Sequence, residues 1–418
     1  MKSIASVLSI VALGFGLVGC PGSGGGGGSS ASAFAVATTT ADFGVVDNAY
    51  TSTLAATGGT APFTWTLFGG VLPTGLSLNP GTGVVSGTPT ADGNSTAVFT
   101  VTDSTGKTAT GSVLFAIHAR TDRVSVNDSG TAGDGVSSTP SINGDGSLVA
   151  FVSQSTNFVT GVSGSQIYVH NRQTNEIELV SRDNNANVVT EGSGASNEPT
   201  MSADGRYVAF VSVATNLLAP GAAVPAGQQI YVRDRQTGLT SLVSVDNNVV
   251  PNPGTGISSA PSISGDGRYV AFVSVATNLL APGAAVPAGQ QIYVRDRQTG
   301  LTSLVSVDNN VVPNPGTGVS SVPSISTDGR YVAFVSVATN LLAPGGPAVA
   351  GQQIYTRDRQ LGQNFLASQN NTNTNVAGAG GVSDTPSTNS DGGFVAFFSQ
   401  ATNLVTGLGA HIYVRAIP

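Results

Sequence analysis

"SGDGRYVAFVS", residues 264–274, reads as a tight turn running into a strand. Both residues of an Asp-Gly turn must tolerate positive φ, and this pair beside an apolar run is a strong hairpin signal. The same stretch recurs as "NGDGSLVAF", "SADGRYVAF", "STDGRYVAF" and "NSDGGFVAF". Its aspartates stand at 145, 204, 266, 328 and 391, so the steps are 59, 62, 62 and 63 residues. A fixed period of this kind marks a five-unit repeat array. Residues 205–256 and 267–318 are identical at all 52 positions, the trace of a recent internal duplication.

Four strands can be read in the third unit: "APSIS" from Ala260, "RYVAFVS" from Arg268, "QIYVRDR" from Gln291 and "LTSLVSV" from Leu301. "QTG" makes a second tight turn between the last two. Four antiparallel strands per repeat describe a propeller blade. The fifth unit stops after its third strand, "HIYVRAIP", while "TDRVSV" at 121–126 looks like a fourth strand with no repeat before it. The segment 121–127 is therefore expected to complete blade five and close the ring, which would remove an open sheet edge.

The "DGRYVAFVS…IYVRDRQTG" pattern resembles the TolB-like β-propeller repeat over all five units. Six blades are common in that family; the repeat count here favours five, with six as the alternative. The resemblance would imply an acidic, cation-binding loop before the third strand. Here those loops hold no Asp or Glu, and Gln228, Gln229, Gln290 and Gln291 precede the strand, so no metal is expected in the repeats.

The whole chain reads as all-β, with 55 Gly, 21 Pro and no long 3.6-residue apolar period in its 418 residues. Only 9% of residues are charged, against roughly 25% for ordinary soluble domains. The net charge is -7 with no Lys/Arg cluster, which argues against nucleic acid and anionic membrane surfaces as partners.

Lys2 and the apolar run from Ile4 to Val18 have the form of a secretory signal, residues 1–19. "LVGC", Leu17 to Cys20, resembles the bacterial lipobox, which implies acylation of Cys20, the only cysteine, and attachment to the cell envelope through a lipid anchor. Pro21 after the cysteine favours the outer membrane, by resemblance to the sorting rule of enteric bacteria. Residues 20–32, rich in Gly and Ser, read as a flexible tether.

Residues 33–119 carry short alternating runs such as "FTWTLF" and "AVFTVTD" between Gly/Pro turns, the pattern of a β-sandwich with Trp65 in its core. The string around Gly58, Gly59, Pro62, Phe63, Trp65, Leu72, Pro73, Gly75, Leu76, Leu78, Thr82, Gly83, Gly87 and Pro89 resembles an Ig-like family of bacterial surface proteins, grouped with cadherin-like folds. That grouping brings in calcium, with Asp92 and Asp103 as the ligands to examine; Asp beside Gly or at a strand end is more often a turn former. No other cofactor is expected. The propeller domain then takes residues 120–418.

Strand alternation puts the long loops, "ATNLLAPGAAVPAGQ" and "DNNVVPNPGTGISS", on one rim. Long loops on a rigid scaffold are where binding concentrates. Asn247, Asn248, Asn252, Asn309, Asn310 and Asn314 are the candidate binding face, with Ala, Val and Pro supplying apolar area. No catalytic set emerges: His118, His170 and His411 do not recur at equivalent positions, and Asp234, Asp296 and Asp358 in "RDR" suggest inter-strand pairing. The expectation is a non-enzymatic envelope protein that presents its rim to a protein or glycan. A structural part of an envelope assembly is the alternative, and a polysaccharide-active or peptidase-like enzyme the third reading.

Overall fold

The structure is a computed structural model. It describes residues 33–119, 121–184, 190–219, 222–223, 225–285, 287–342, 349, 351–370, 381–405 and 410–418. The signal segment, Cys20 and the tether lie outside them. The described residues contain strands and turns and no helix, hence none long and apolar enough to cross a membrane.

The amino-terminal unit has two main sheets. One orders Gly44–Val45, Thr108–His118, Gly93–Thr102 and Thr64–Gly70; the other orders Tyr50–Thr53, Val84–Gly87 and Leu76–Leu78. Alternating residues from both face each other in one core, with Val85, Phe99 and Phe115 fully buried and Trp65 3% exposed. Each such side chain contributes roughly 1.5–3 kcal/mol by leaving water, which accounts for a unit with no disulfide.

Among the described residues five antiparallel sheets follow it, numbered here as blades one to five. Blades one to four have four strands each and blade five has three. In blade three they are Ser258–Ile263, Tyr269–Ser274, Gln291–Asp296 and Leu301–Leu304, in sequential order. The sequence of the second strand explains how blades stack. Val270 and Phe272 point to blade two and meet Ala209, Val211, Ile230 and Val232, while Ala271 and Val273 point to blade four and meet Val332 and Phe334. Large side chains on one face thus meet smaller ones on the next, and the strand reads as continuously apolar because both faces are covered.

Three further devices lock neighbours together. Near the blade axis, the Gly144 N–H donates to Ala203 O, Ala203 to Gly265 O, Gly265 to Thr327 O and Thr327 to Ser390 O, at 2.8–2.9 Å. This ladder crosses all four blade boundaries. At the periphery Tyr207 lies between Arg206 (4.8 Å) and Arg297 of the next blade (4.4 Å), and Tyr269 likewise between Arg268 and Arg359. Within a blade, Arg206 grips Asp234 with two hydrogen bonds of 2.9 and 2.7 Å, and Arg268 grips Asp296 in the same way, so the expected inter-strand pairing of "RDR" is present.

One feature of the first strands was not read from sequence. The residue before the strand's proline has positive φ in every blade: Thr139, Glu198, Ala260, Val322 and Thr385, at 46–52°. A register shift accompanies each. The proline has no N–H to offer the ladder, so a bulge at this point costs the sheet little hydrogen bonding.

The expected closure is not what the structure holds. Blade five consists of Ser383–Thr388, Phe394–Ser399 and His411–Ala416, and among the described residues no strand pairs with the outer edge of the last. Residues 121–127 form no strand; Val126 makes a single bridge to Ala132, and Val124 packs on Val149, Phe151 and Tyr168 of blade one. The segment is held by blade one, through Val124 and the Asp122–Arg172 pair, and by His118 of the amino-terminal unit.

Candidate functional site

The long loops do share one rim, and side chains tie them to one another. Asn278 in a loop of blade three donates from Nδ2 to Pro253 O at 2.9 Å and accepts the Thr255 N–H at 2.8 Å, both in the preceding connection. Asn157, Asn216 and Asn340 make the same bond to Ala132, Glu191 and Pro315. This recurrent "TN" was visible in every repeat but was passed over, because its role depends on a loop about 23 residues away.

The six candidate asparagines are all at the rim, and the structure gives their side chains structural work. Asn247 accepts the Thr302 N–H at 2.6 Å and donates to Thr302 O at 2.8 Å, pinning blade two's loop to blade three; Asn309 does the same to Asn364 of blade four. Asn248 and Asn252 both donate, from backbone and side chain, to Asp246 at 2.6–3.2 Å. Asn310 and Asn314 treat Asp308 alike. Burial alone would raise the Asp246 carboxyl, but these four donors, Asn252 foremost, outweigh it and hold the pKa below the usual value. Asp246 and Asp308 are thus the organising anions of these loops, and the motif "VDNN" was the signal for them.

What the rim offers outward is apolar. The start of the first strand and the end of the second meet there, and each meeting leaves aliphatic side chains in water: Val136 is 72% exposed, Ile257 58%, Val319 49%, Val213 46%, and Val275 and Val382 44% each. The Val275 N–H donates to Ile257 O and Val337 to Val319 O, which fixes these residues as adjacent pairs around the axis. Farther out, the tips of two loops present Val249 and Val250, and Val311 and Val312, all at least 79% exposed. Between the Asp246 loop and residues 276–287 lies a cleft of about 230 Å³, walled by Leu280, Pro282, Ala284 and Asn248 above Tyr293.

Residues 29–118 match the He_PIG family, described as "Putative Ig domain". No curated protein matches the chain. Among solved structures, one described as putative TolB from Agrobacterium tumefaciens is 15% identical, covering 68% of this chain and 78% of its own, with a TM-score of 0.39. An acylaminoacyl peptidase from Pyrococcus horikoshii is 12% identical over 93% of this chain, with a TM-score of 0.36; the chain spans 46% of that protein's length. The periplasmic gluconolactonase PpgL of Pseudomonas aeruginosa is 14% identical, over 79% of this chain and 83% of its own, at a TM-score of 0.29.

The Ig-like domain joins blade one through charged and aromatic groups. Asp122 receives Arg172 Nη2 at 2.9 Å and lies 3.2 Å from His118 Nδ1, and Arg172 also stacks on Phe43 at 5.6 Å. His118 and His170 are both buried and line a 340 Å³ cleft with Asp92 and Arg172. Burial, with Arg172 next for His118, depresses both pKa values, so these imidazoles are neutral packing groups at pH 7. Asp103, examined as a calcium ligand, accepts Thr105 Oγ1 and the N–H groups of Thr105, Lys107 and Thr60 at 2.7–3.1 Å. That is the hydrogen bonding of a turn former. Among the described residues no three His, Cys, Asp or Glu come together as metal ligands.

Proposed function

We infer that this chain is an envelope-anchored interaction protein, in which acylated Cys20 and the Gly/Ser tether hold an Ig-like sandwich that carries a five-bladed TolB-like propeller. The propeller docks a protein by its rim. One observation carries the choice of partner: the rim's asparagine side chains are taken up by Asp246, Asp308 and the neighbouring blade, while its valines and Ile257 face water. Neutral glycan recognition needs free donors and acceptors, which these asparagines would have supplied. A protein surface instead needs an apolar centre. Few charges border it, so association depends weakly on salt.

The test replaces Ile257, Val275, Val319 and Val337 together by Asn and photo-crosslinks wild type and variant to envelope extract, with the crosslinker at Thr277. The wild type should yield a discrete protein adduct that the variant loses, and both should melt alike. An unchanged adduct, or retention on a neutral-glycan array in place of an adduct, sinks the reading. The anchor is tested separately: Cys20→Ser should move the protein from the membrane to the soluble fraction.

A further inference from the structure

Blades two to five carry an arginine at one place in the third strand: Arg233, Arg295, Arg357 and Arg415, the first three buried. Arg233 Nη1 donates to Asp183 O (3.2 Å) and Asn184 Oδ1 (3.3 Å) of the preceding connection and to Thr240 Oγ1 (3.0 Å) of its own blade. Arg295 repeats the three bonds on Asp246, Asn247 and Thr302, and Arg357 bonds to Asp308 O and Asn364 Oδ1. In blade one the same place, opposite Val149 as Arg233 is opposite Val208, belongs to His170. A charge that is permanent in the other blades is titratable there.

A second histidine stands at the joint itself. His118 ends the last strand of the Ig-like domain, edge-on to Phe43 at 5.7 Å, and Phe43 carries Arg172 of blade one. Asn94 adds a hydrogen bond from Nδ2 to Gln173 O at 3.2 Å. His118 is 9% exposed and His170 4%. Their partners fix where each neutral ring holds its hydrogen. His118 Nδ1 faces the Asp122 carboxylate at 3.2 Å and therefore donates. Asn175 gives its amide hydrogen to Asp128 O at 3.3 Å, so its Oδ1 receives His170 Nε2–H at 3.2 Å. That leaves His118 Nε2 and His170 Nδ1 bare, both shut from solvent and without a hydrogen-bond partner among the described residues. A second proton on either ring arrives where no acceptor receives it. The charges facing His118 are Arg172, Asp122 and His170, and those facing His170 are Arg172, Asp128 and Asp122; Asp92 and Arg123 line the cleft beside them. Burial is the first cause for both rings, and with Arg172 it outweighs the carboxylates and the Asn175 bond, so both pKa values lie below the usual histidine value.

We propose that the joint between the Ig-like domain and blade one is a pH-operated latch, closed while His118 and His170 are neutral and released when they take up protons, with the arginine-anchored blades left intact. A base whose pKa is depressed in the closed joint binds protons better once the joint is open. Closure is therefore complete above about pH 6.5 and is lost as pH falls below it. Asp234, in its pair with Arg206, is held at about 2, so that blade keeps its ion pair through the range in which the joint opens. Release frees the blade array to turn on the Ig-like domain and alters no blade.

The test uses the full chain with Cys20→Ser and spin labels on two introduced cysteines at exposed sites. Thr66→Cys with Thr237→Cys spans the joint, and Thr237→Cys with Thr299→Cys lies within the blades as a control. Pulsed dipolar spectroscopy should give one narrow distance across the joint at about pH 7.5 and a broad distribution at about pH 5, while the control distance stays narrow at both. The broad-to-narrow ratio should rise by up to about a hundredfold per pH unit if two protons are taken up, and by up to about tenfold in His118→Gln or His170→Gln alone. His118→Gln/His170→Gln should stay narrow at both pH values. Should that double variant fail to fold, which the control pair reports, the two single variants carry the same reading through their slopes. A joint distance unchanged at low pH overturns the proposal. So does broadening that persists in the glutamine variants with the wild-type slope, or broadening of the control pair over the same range.

Discussion

Blade three and blade five descend from one repeat, and they differ where their surroundings differ. In blade three Arg268 pairs with Asp296 and Tyr269 is held between two arginines. In blade five the same places are Gly393, Ala416 and Phe394, the last 51% exposed. The Arg–Asp pair within a blade and the tyrosine held between two arginines occur together in blades two and three and are absent from blades one and five. By contrast the face toward the preceding blade is intact: Val395 and Phe397 are buried against Ala333, Val335 and Ile354. The two faces of this sheet thus differ in burial.

The sharpest way to break this comparison is to empty a covered place in one blade and an open place in the other, where Phe398 stands in the position of Val273. Phe272 is fully buried between blades two and three, so Phe272→Ala should cost about 3–5 kcal/mol in denaturant unfolding. Phe398, on the outer face of blade five, is only half-buried, and Phe398→Ala should cost about 1 kcal/mol or less. Equal losses would mean that the outer face of blade five is covered in solution.

A smaller effect separates the staples. The hydrogen bonds from Arg206 come first in lowering the Asp234 pKa from 3.8 to about 2. A carboxylate with a depressed folded pKa stabilises fully above its unfolded value and loses that contribution as pH falls through the folded one. The pair is therefore intact above about pH 4 and lost toward pH 2. With solvent reaching Arg206, it contributes about 1–2 kcal/mol. Asp234→Asn should lower stability by that amount at pH 7 and flatten the acid limb of a pH–stability curve. Blade five, with Ala416 in the matching position, has no such pair, and Ala416→Asp should restore nothing because Gly393 supplies no partner.

The regular part of this molecule was legible because period and turn chemistry coincide. Each Asp-Gly lies in a turn, from Gly146 to Gly392, although only the glycine takes the positive φ expected of both residues, and each "YVAFVS" is a strand buried on both faces. Trp65 was placed in the core by alternation alone. The end of the array was read less well. "TDRVSV" has the residues of a fourth strand, but residue pattern says nothing of whether four successive blade angles bring two ends together. The rim shows the same limit. Loop position could be inferred from strand alternation, whereas the capture of Asn248 and Asn252 by Asp246 requires the loop to fold back six residues. Nothing in an asparagine's identity tells whether its amide faces a neighbour or water.

The smallest expected effect on stability falls on the residues with the largest expected effect on binding. Val249 and Val311 are fully exposed, and Val250 and Val312 are each 79% exposed, so none loses packing when replaced. The loops beneath them are held from within by Asp246 and Asp308, whose donors are the flanking asparagines and not the valines. Replacing all four valines by Ser should change unfolding free energy by less than about 0.5 kcal/mol, the usual range for surface sites. If the rim docks protein, the same variant should lose most of the crosslinked adduct while its melting curve overlays the wild type. Because the two loops are identical in sequence and sit one blade apart, removing one pair should weaken capture more than half as much as removing both, as joint engagement predicts. Should the single-loop variants capture as well as wild type and the fourfold variant melt early, the valines would be holding the loops and not the partner, and the docking surface would have to be sought along the axial collar alone.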